Sequence, residues 1–435
     1  MSGGAGSDPT GSRRPSPGRF AGVRGLVIDL EPLRRDADFR RIWSGQAINV
    51  IGTQITRVAL PYQVYVLTGS TLALAGLVLV QLIPLLLFTL GGGAIADAMD
   101  RRRVLLTTQS GLAATSLALV VISLQAHMAV PLLFVVAFVA SGFSAFDSPA
   151  RSSAVPRLVP PERLRAAIAL GQLSYNGGSV IGPAIAGALI SLIGVGGAYA
   201  VDVGTYAVSL AMLLRIQPIP PLGEARKLGL DAIREGLSFV RARRLILSTF
   251  AIDLNAMIFG SPRTLYPVLA LDIFKTGPFG LGLLNAAPAA GAFAAILLSG
   301  GVSRFPRLGR GILLAVAAWG AAIVLFGLST AFFGLALGFL AIAGAADVVS
   351  AVLRSSVVQM ETPDELRGRV QSVHSLVVTS GPQVGDIEAA LLASAIGAQL
   401  SVISGGLLCL AGVLVVARWF PELDAHVIVR PDPPT

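Results

Sequence analysis

Ala150-Arg151-Ser152-Ser153, with Pro160-Pro161-Glu162-Arg163-Leu164-Arg165 just behind it, returns later in the chain. The second copy reads Leu353-Arg354-Ser355-Ser356, then Thr362-Pro363-Asp364-Glu365-Leu366-Arg367. Arg354 stands 203 positions after Arg151, and Pro363 stands 202 positions after Pro161. Behind each copy an apolar run contains a Gly-Pro pair, Gly182-Pro183 and Gly381-Pro382. Three matched features at nearly one offset mark a chain built twice on one plan.

On either side of these copies lie apolar runs of the ~20 residues that cross a bilayer as a helix. The reading predicts twelve, near 42–67, 71–96, 104–126, 129–148, 168–193, 196–214, 245–270, 279–303, 310–329, 331–352, 371–396 and 398–420. The 33 Lys and Arg test that reading. Thirty fall in the N-terminal tail, in every second loop and behind the last span: Arg13 through Arg41, Arg101–Arg103, Arg151–Arg165, Arg215–Arg244, Arg304–Arg310, Arg354–Arg369, Arg418 and Arg430. The alternate loops hold Lys275 alone, and Arg57 and Arg263 lie within spans. Cytoplasmic loops retain Lys and Arg, so both termini are expected inside. Miscounting one span would scramble the charge map. The predicted fold class is therefore an all-α membrane protein with twelve transmembrane helices in two six-helix halves.

Composition narrows the function. The chain is 54% hydrophobic and only 13% charged, against roughly 25% charged in soluble domains. Its pI near 10.5 would suit a nucleic-acid binder. Here the excess is the inner basic belt, facing anionic headgroups, and no nucleic-acid partner is expected. Cys409 is the single cysteine, so the chain can form no internal disulfide or Cys-based metal site. His127, His374 and His426 are scattered, and neither Lys227 nor Lys275 closes a phosphate-binding loop. No enzymatic constellation, metal site or cofactor is predicted. If the chain pumps, an ion gradient must drive it.

The expected organisation runs as follows. Residues 1–38 form a disordered cytoplasmic tail and leader, with no signal peptide. Within it, 26–41 reads either as a short interfacial helix or as a plain leader. The N-terminal half is 39–214, a cytoplasmic linker is 215–244, the C-terminal half is 245–421, and a second tail is 422–435. In the linker, Leu230, Ile233, Leu237 and Val240 alternate with Arg234, Arg241, Arg243 and Arg244. That pattern reads as a helix on the inner membrane surface, or as a connector with no further role.

The loop after span two reads Gly93-Ala94-Ile95-Ala96-Asp97-Ala98-Met99-Asp100-Arg101-Arg102-Arg103. It resembles the G-x-x-x-D-R-x-G-R-R signature of the major facilitator superfamily, with Ala98 in place of the first basic residue and Asp100 in place of the glycine. The resemblance implies two similar halves, a substrate site between them near the midplane, and a cytoplasmic latch. The latch would use Gly93, Asp97, Arg101 and Arg102, with Asp147, Arg151, Asp347 and Arg354 at the inner span ends. In span five, Gly177-Gly178-Ser179-Val180-Ile181-Gly182-Pro183-Ala184-Ile185-Ala186-Gly187 resembles the G-x-x-x-G-P-x-x-G-G motif of exporting, proton-antiport branches. Gly178, Gly182, Pro183 and Gly187 would pack tightly there, though small residues pack many membrane helices. Finer likeness lies in Phe146-Asp147-Ser148-Pro149-Ala150-Arg151, Arg263-Thr264-Leu265-Tyr266-Pro267, Gln359-Met360-Glu361-Thr362-Pro363 and Gly385-Asp386. These are similar to the enterobactin-exporter branch over about residues 36–420.

Ionisable groups inside a bilayer cost at least ~2.5–3.5 kcal/mol each, which makes them functional candidates. Arg57, Asp147, Asp202, Asp253, Arg263, Asp347, Asp386 and Glu388 qualify. Asp147 and Asp347 lie close to Arg151 and Arg354 and read as gate or surface ion pairs. Asp202, toward the outer end of span six, reads in the same peripheral way. Asp253 and Asp386 lie deeper. One of them is expected to carry a coupled proton, with Arg57 or Arg263 tuning it; a static Arg–Asp pair is the alternative. Arg263 could instead meet an anionic or catecholic substrate. Tyr62, Gln63, Gln81, Asn176 and Asn255 could bond a ligand or join helices.

The resulting expectation is a secondary exporter of the bacterial inner membrane. It would move a siderophore or similar amphipathic metabolite by proton antiport and alternating access, with a multidrug or macrolide exporter as the alternative. Its partners would be a small-molecule substrate, protons and the lipid bilayer, and it would act as a monomer.

Overall fold

The computed structural model describes residues 29–125, 129–221, 230–298 and 307–425, with the side chains of 89–98, 230–233 and 425 excepted. The expected tails therefore lie largely outside the described residues, as do His127, Arg304 and the side chains of Leu230 and Ile233 that open the amphipathic linker pattern. The described residues form helices and turns. After one short turn, Glu31–Arg35, come α1 (Ala37–Thr68), α2 (Thr71–Ala98), α3 (Arg101–Ser123), α4 (Val130–Leu158) and α5 (Leu164–Leu214). The linker contributes α6 (Leu230–Ala242). Then follow α7 (Arg244–Phe259), α8 (Gly277–Leu298), α9 (Leu308–Leu328), α10 (Phe333–Glu361), α11 (Arg367–Ile396) and α12 (Ala398–Trp419).

Nine helical segments among the described residues are long and apolar enough to cross a membrane. Large apolar side chains such as Leu192, Leu124 and Leu297 stand 81%, 78% and 71% exposed, as a lipid-facing surface requires. α1 and α11 are as long as the others but are not among the nine. In α1 the reason is visible in its interior groups: Asn49, Gln54 and Gln63 are all buried. Gln54 donates to Ser179 at 3.1 Å, and Tyr199 donates to the Gln63 amide oxygen at 2.8 Å.

α5 is two helices joined at one residue. Gly194 takes φ 74 and ψ 176, a backbone region that a Cβ disfavours. The arms on either side run in opposite directions, as their contacts with α1 show. On the first arm Gly178 meets Val50 and Gly182 meets Gln54, so both chains ascend together. On the second arm Gly45 meets Ser209, Thr205 lies by Asn49, and Tyr199 bonds Gln63, so the order reverses. α1 thus lies between the arms. A Cβ on Gly182 would come 2.7 Å from the Gln54 side chain. Close approach of this kind is what holds helices together where lipid removes the hydrophobic drive between them.

The segment expected as a single span at 245–270 is broken. α7 stops at Phe259. Gly260, Ser261 and Pro262 follow, then a 3₁₀ turn (Arg263–Leu265), one α turn and a π turn (Leu269–Ile273). Proline has no N–H to give a helix and its ring clashes with the preceding turn. Both exposed ends find partners: the Trp319 indole donates to the Gly260 carbonyl at 2.9 Å, and the Thr264 N–H donates to the Asp386 carboxylate at 3.0 Å.

The chain bundles as two groups, α1–α5 and α7–α12. Between them α5 packs on α8, and α2 packs on α11. Gly187 and Gly282 meet almost backbone to backbone: a Cβ on Gly187 would lie 2.6 Å from the Pro278 carbonyl and 2.9 Å from Gly282 Cα. The Tyr65 hydroxyl donates to Asp272 across the same divide. Both contacts lie toward the face opposite the linker, here the distal face.

At the linker face the chain leaving α5 is tied to the first group. Arg102 donates to the carbonyls of Leu213 and Leu214 at 3.3 and 2.8 Å, and Arg41 donates to that of Arg215 at 2.9 Å. Cations are favoured at a helix C-terminus, where carbonyls lack partners. Further on, α6 packs on α11, and its Glu235 pairs with Arg369.

Candidate functional site

The expected site residues fall into three places. The first is the break in the seventh span. Asp386 lies on α11 one residue after Gly385, where a Cβ would come 2.6 Å from the Ile258 carbonyl. That glycine lets α11 close on the end of α7 and brings the next side chain against the broken backbone. Asp386 is half-buried and caps Thr264. A carboxylate at a helical N-terminus gains from the unpaired N–H groups there. Arg263, the neighbouring residue, is exposed, and its charge interacts with those of Asp386 and Asp347. The 3₁₀ turn that carries Arg263 packs on α2 of the other group. Glu388 is half-buried two residues further along α11.

The second place is a pair of ion pairs toward the linker face. Arg151 pairs with Asp147 at 3.0 Å, one turn back on α4, and Asp147 also accepts from Thr108 and Gln109 of α3 at 2.9 and 3.1 Å. Arg354, the repeat partner of Arg151, finds Ser350 at the position equivalent to Asp147 and donates to it at 2.5 Å. Its acid comes from another helix: Asp253 of α7, at 2.7 Å, with both side chains under 5% exposed. The expected neighbour Asp347 is half-buried and interacts with Arg354 through charge.

The third place is the interior of the first group. Tyr62 and Gln63 line a cavity of about 580 Å³ between the distal ends of α1, α3 and the second arm of α5. Arg57 is exposed, with no hydrogen bond or ion pair to another described residue. Asp202 corrects the peripheral reading. It is 1% exposed and meets hydroxyls instead of a cation: Thr56 at 2.5 Å, Ser116 at 2.7 Å and Thr205 at 3.3 Å.

Other expected residues take structural places. Asn255 donates to the Cys409 carbonyl at 2.9 Å and joins α7 to α12. The four span-five motif residues are all buried, with Gly178 and Gly182 against α1 and Gly187 against α8. Asp100, read as a departure from the loop signature, is the N-cap of α3. It accepts from the backbone of Arg102 at 2.8 Å and also from Ile219 at 3.2 Å. Arg101 is buried. The surroundings of Gly93 and the side chain of Asp97 lie outside what the structure describes.

A broken helix whose ends are satisfied by side chains from other helices, between two packed groups, is an arrangement of secondary transporters. Residues 28–432 match the family model described as transmembrane secretion effector. The chain belongs to that family. Enterobactin exporter EntS of Shigella boydii serotype 18 is 26% identical over 390 residues, covering 90% of this chain and 92% of the relative. EntS of Escherichia coli O127:H6 matches to the same extent. Among solved structures, a bacterial homologue of the iron transporter ferroportin in an inward-facing state aligns with a TM-score of 0.66 at 16% identity, covering 89% of this chain and 99% of that one. A POT family transporter in complex with 5-aminolevulinic acid aligns at 0.68 and 16%, covering 88% and 96%. The protein is thus a major facilitator transporter, similar to the enterobactin exporters over 90% of its length, a multi-pass protein of the inner membrane and not an enzyme.

Proposed function

We propose that this protein is a secondary active exporter that moves a siderophore or similar amphipathic metabolite out of the cell in exchange for protons. The observation that carries the reading is the broken seventh span, with Asp386 on its second N-terminus and Arg263 exposed beside it. A cation and a carboxylate at one discontinuity suit an anionic substrate and a proton that compete for the same charge. The siderophore assignment rests on the likeness to the enterobactin exporters.

In this reading the chain crosses the bilayer twelve times. The nine apolar segments are joined by α1 and α11, and the 54-residue segment through Gly194 counts twice. The thirty cations that the sequence puts in the tails and alternate loops argue that the linker face and both termini are cytoplasmic. The six-helix halves are 39–214 and 245–421, and the conformation described is closed toward the outside through Gly187–Gly282 and Tyr65–Asp272. Alternating access opens that contact and closes the linker face. The chain works as a monomer.

The test is proton flux in inside-out vesicles with a preformed acid-inside gradient. A catecholate siderophore added outside should alkalinise the lumen. Alkalinisation with lipophilic macrolides only would transfer the assignment to drug efflux. No response to either would sink the antiport reading.

A further inference from the structure

The Asp202 carboxylate is surrounded by too few protons for an anion. A hydroxyl donates one proton. Those of Thr56 and Ser116 go to Oδ2, at 2.5 and 2.7 Å. The Thr205 hydroxyl lies 2.8 Å from the Asp202 carbonyl, its best acceptor, and is only 3.3 Å from Oδ1 and 3.4 Å from the Asn49 amide oxygen. Oδ1 is left facing an oxygen whose proton is already used. As an anion, Asp202 would bury one oxygen without a donor and a full charge without a cation. An uncompensated buried charge costs several kcal/mol. As a neutral acid with its proton on Oδ1, it donates to Thr205 while Oδ2 still accepts twice, and every group is satisfied.

Among the described residues the surroundings supply no counter-charge. Tyr199 and Tyr206 flank Asp202 on its own arm, and Tyr199 already donates to Gln63. α1 offers Arg57, whose side chain is exposed, and α3 carries no titratable group beyond Arg101–Arg103 at its linker end. On α4, Arg151 is engaged by Asp147. A bound metal ion fits poorly, because oxygens ligating one ion stand further apart than oxygens that share a hydrogen. Gly52 closes the fourth side, and any Cβ there would collide with Oδ1 and with Thr205.

We propose that Asp202 is a proton-binding site between α1, α3 and the second arm of α5, occupied in this outward-closed conformation, and that it is a station, with Asp386, on the route of the proton exchanged during transport. The exchange role rests on the antiport reading; the occupancy does not. Separation of α1 from the arm would strip the hydroxyls from Asp202 and admit water, which releases the proton.

Infrared spectroscopy of the full-length protein in liposomes at neutral pH tests the occupancy. A carbonyl band of a protonated carboxylic acid should be present, should vanish in Asp202→Asn and should persist in Asp386→Asn. Should Asp202→Asn fail to reconstitute, Thr56→Val must still move the band, because it removes one donor to Oδ2. No band dependent on Asp202, or none moved by Thr56→Val, overturns the proposal. In vesicles, tris-catecholate siderophore should drive alkalinisation with the wild type, and Asp202→Asn should fall to the protein-free leak rate. Wild-type alkalinisation that survives Asp202→Asn would make the acid structural and overturn the exchange role. A band in a wild type that never alkalinises would instead defeat the antiport reading.

Discussion

Arg354 holds Asp253 at 2.7 Å across two helices, whereas its repeat partner Arg151 holds Asp147 one turn back on its own helix. The two halves keep the cation at one place and take the anion from different ones. Breaking a buried pair by removing one partner leaves an uncompensated charge and costs about 3–5 kcal/mol. Asp253→Asn or Arg354→Gln should therefore lower the melting temperature of the purified protein strongly. The double neutral variant should recover much of the loss. Equal melting temperatures for the singles and the wild type would mean that the pair contributes nothing.

Asp386 caps a half-helix and neighbours the exposed Arg263. Asp386→Asn keeps an acceptor for the Thr264 N–H, so the variant should insert and purify normally. It should lose siderophore-driven proton flux. Asp386→Ala should also lose the cap, worth ~1 kcal/mol, and melt earlier than the Asn variant. Normal flux through Asp386→Asn would remove this residue from the proton path.

Gly187 and Gly282 touch through backbone atoms. Gly187→Val should leave insertion intact and slow transport, because the distal closure cannot form. In a Cys409→Ala background, Tyr65→Cys with Asp272→Cys, across the same divide, should be cross-linked by a short bifunctional maleimide, and the link should arrest transport. The background costs little redesign, since Cys409 is the chain's single cysteine and is buried. Failure to cross-link in any state would contradict the contact.

Asp100 caps α3 and holds the first linker residues through Ile219. Asp100→Ala should cost ~0.5–2 kcal/mol as a lost N-cap and free the chain behind Leu214. Limited proteolysis between residues 215 and 244 should accelerate in that variant. Asp100→Gly, which restores the signature residue, should cost less stability but release the linker equally. Unchanged cleavage in both would assign the linker's hold to Arg41, Arg102 and the Arg101 N–H on the Ile219 carbonyl.

The helical plan was legible because the bilayer admits few alternatives: apolar length and the alternation of cations decide it together. Side-chain partners were not. Asp347 lies on the same helix as Arg354 and looked the nearer acid, yet the ion pair joins residues 101 positions apart, and no sequence pattern encodes that distance. Asp202 read as peripheral because its position along the span says nothing of direction; the hydroxyls that surround it come from α1, α3 and its own arm, and one serine or threonine in a membrane helix is unremarkable alone. The break at Gly260-Ser261-Pro262 did carry a signal, a glycine and a proline two residues apart within an apolar run. Asp100 shows the reverse case: measured against a motif it looked like a loss, and in the fold it is a cap.

The glycine contact between α5 and α8 also sets a lever. From Gly187 to the linker end of α5 at Leu164 the first arm runs roughly 34 Å, at 1.5 Å per residue. A pivot placed so near one surface magnifies motion at the other: a tilt of about 10° there would sweep the far end through about 6 Å over that arm. Two residues without side chains thereby convert a small angular slip into an aperture wide enough to matter for a bulky cargo.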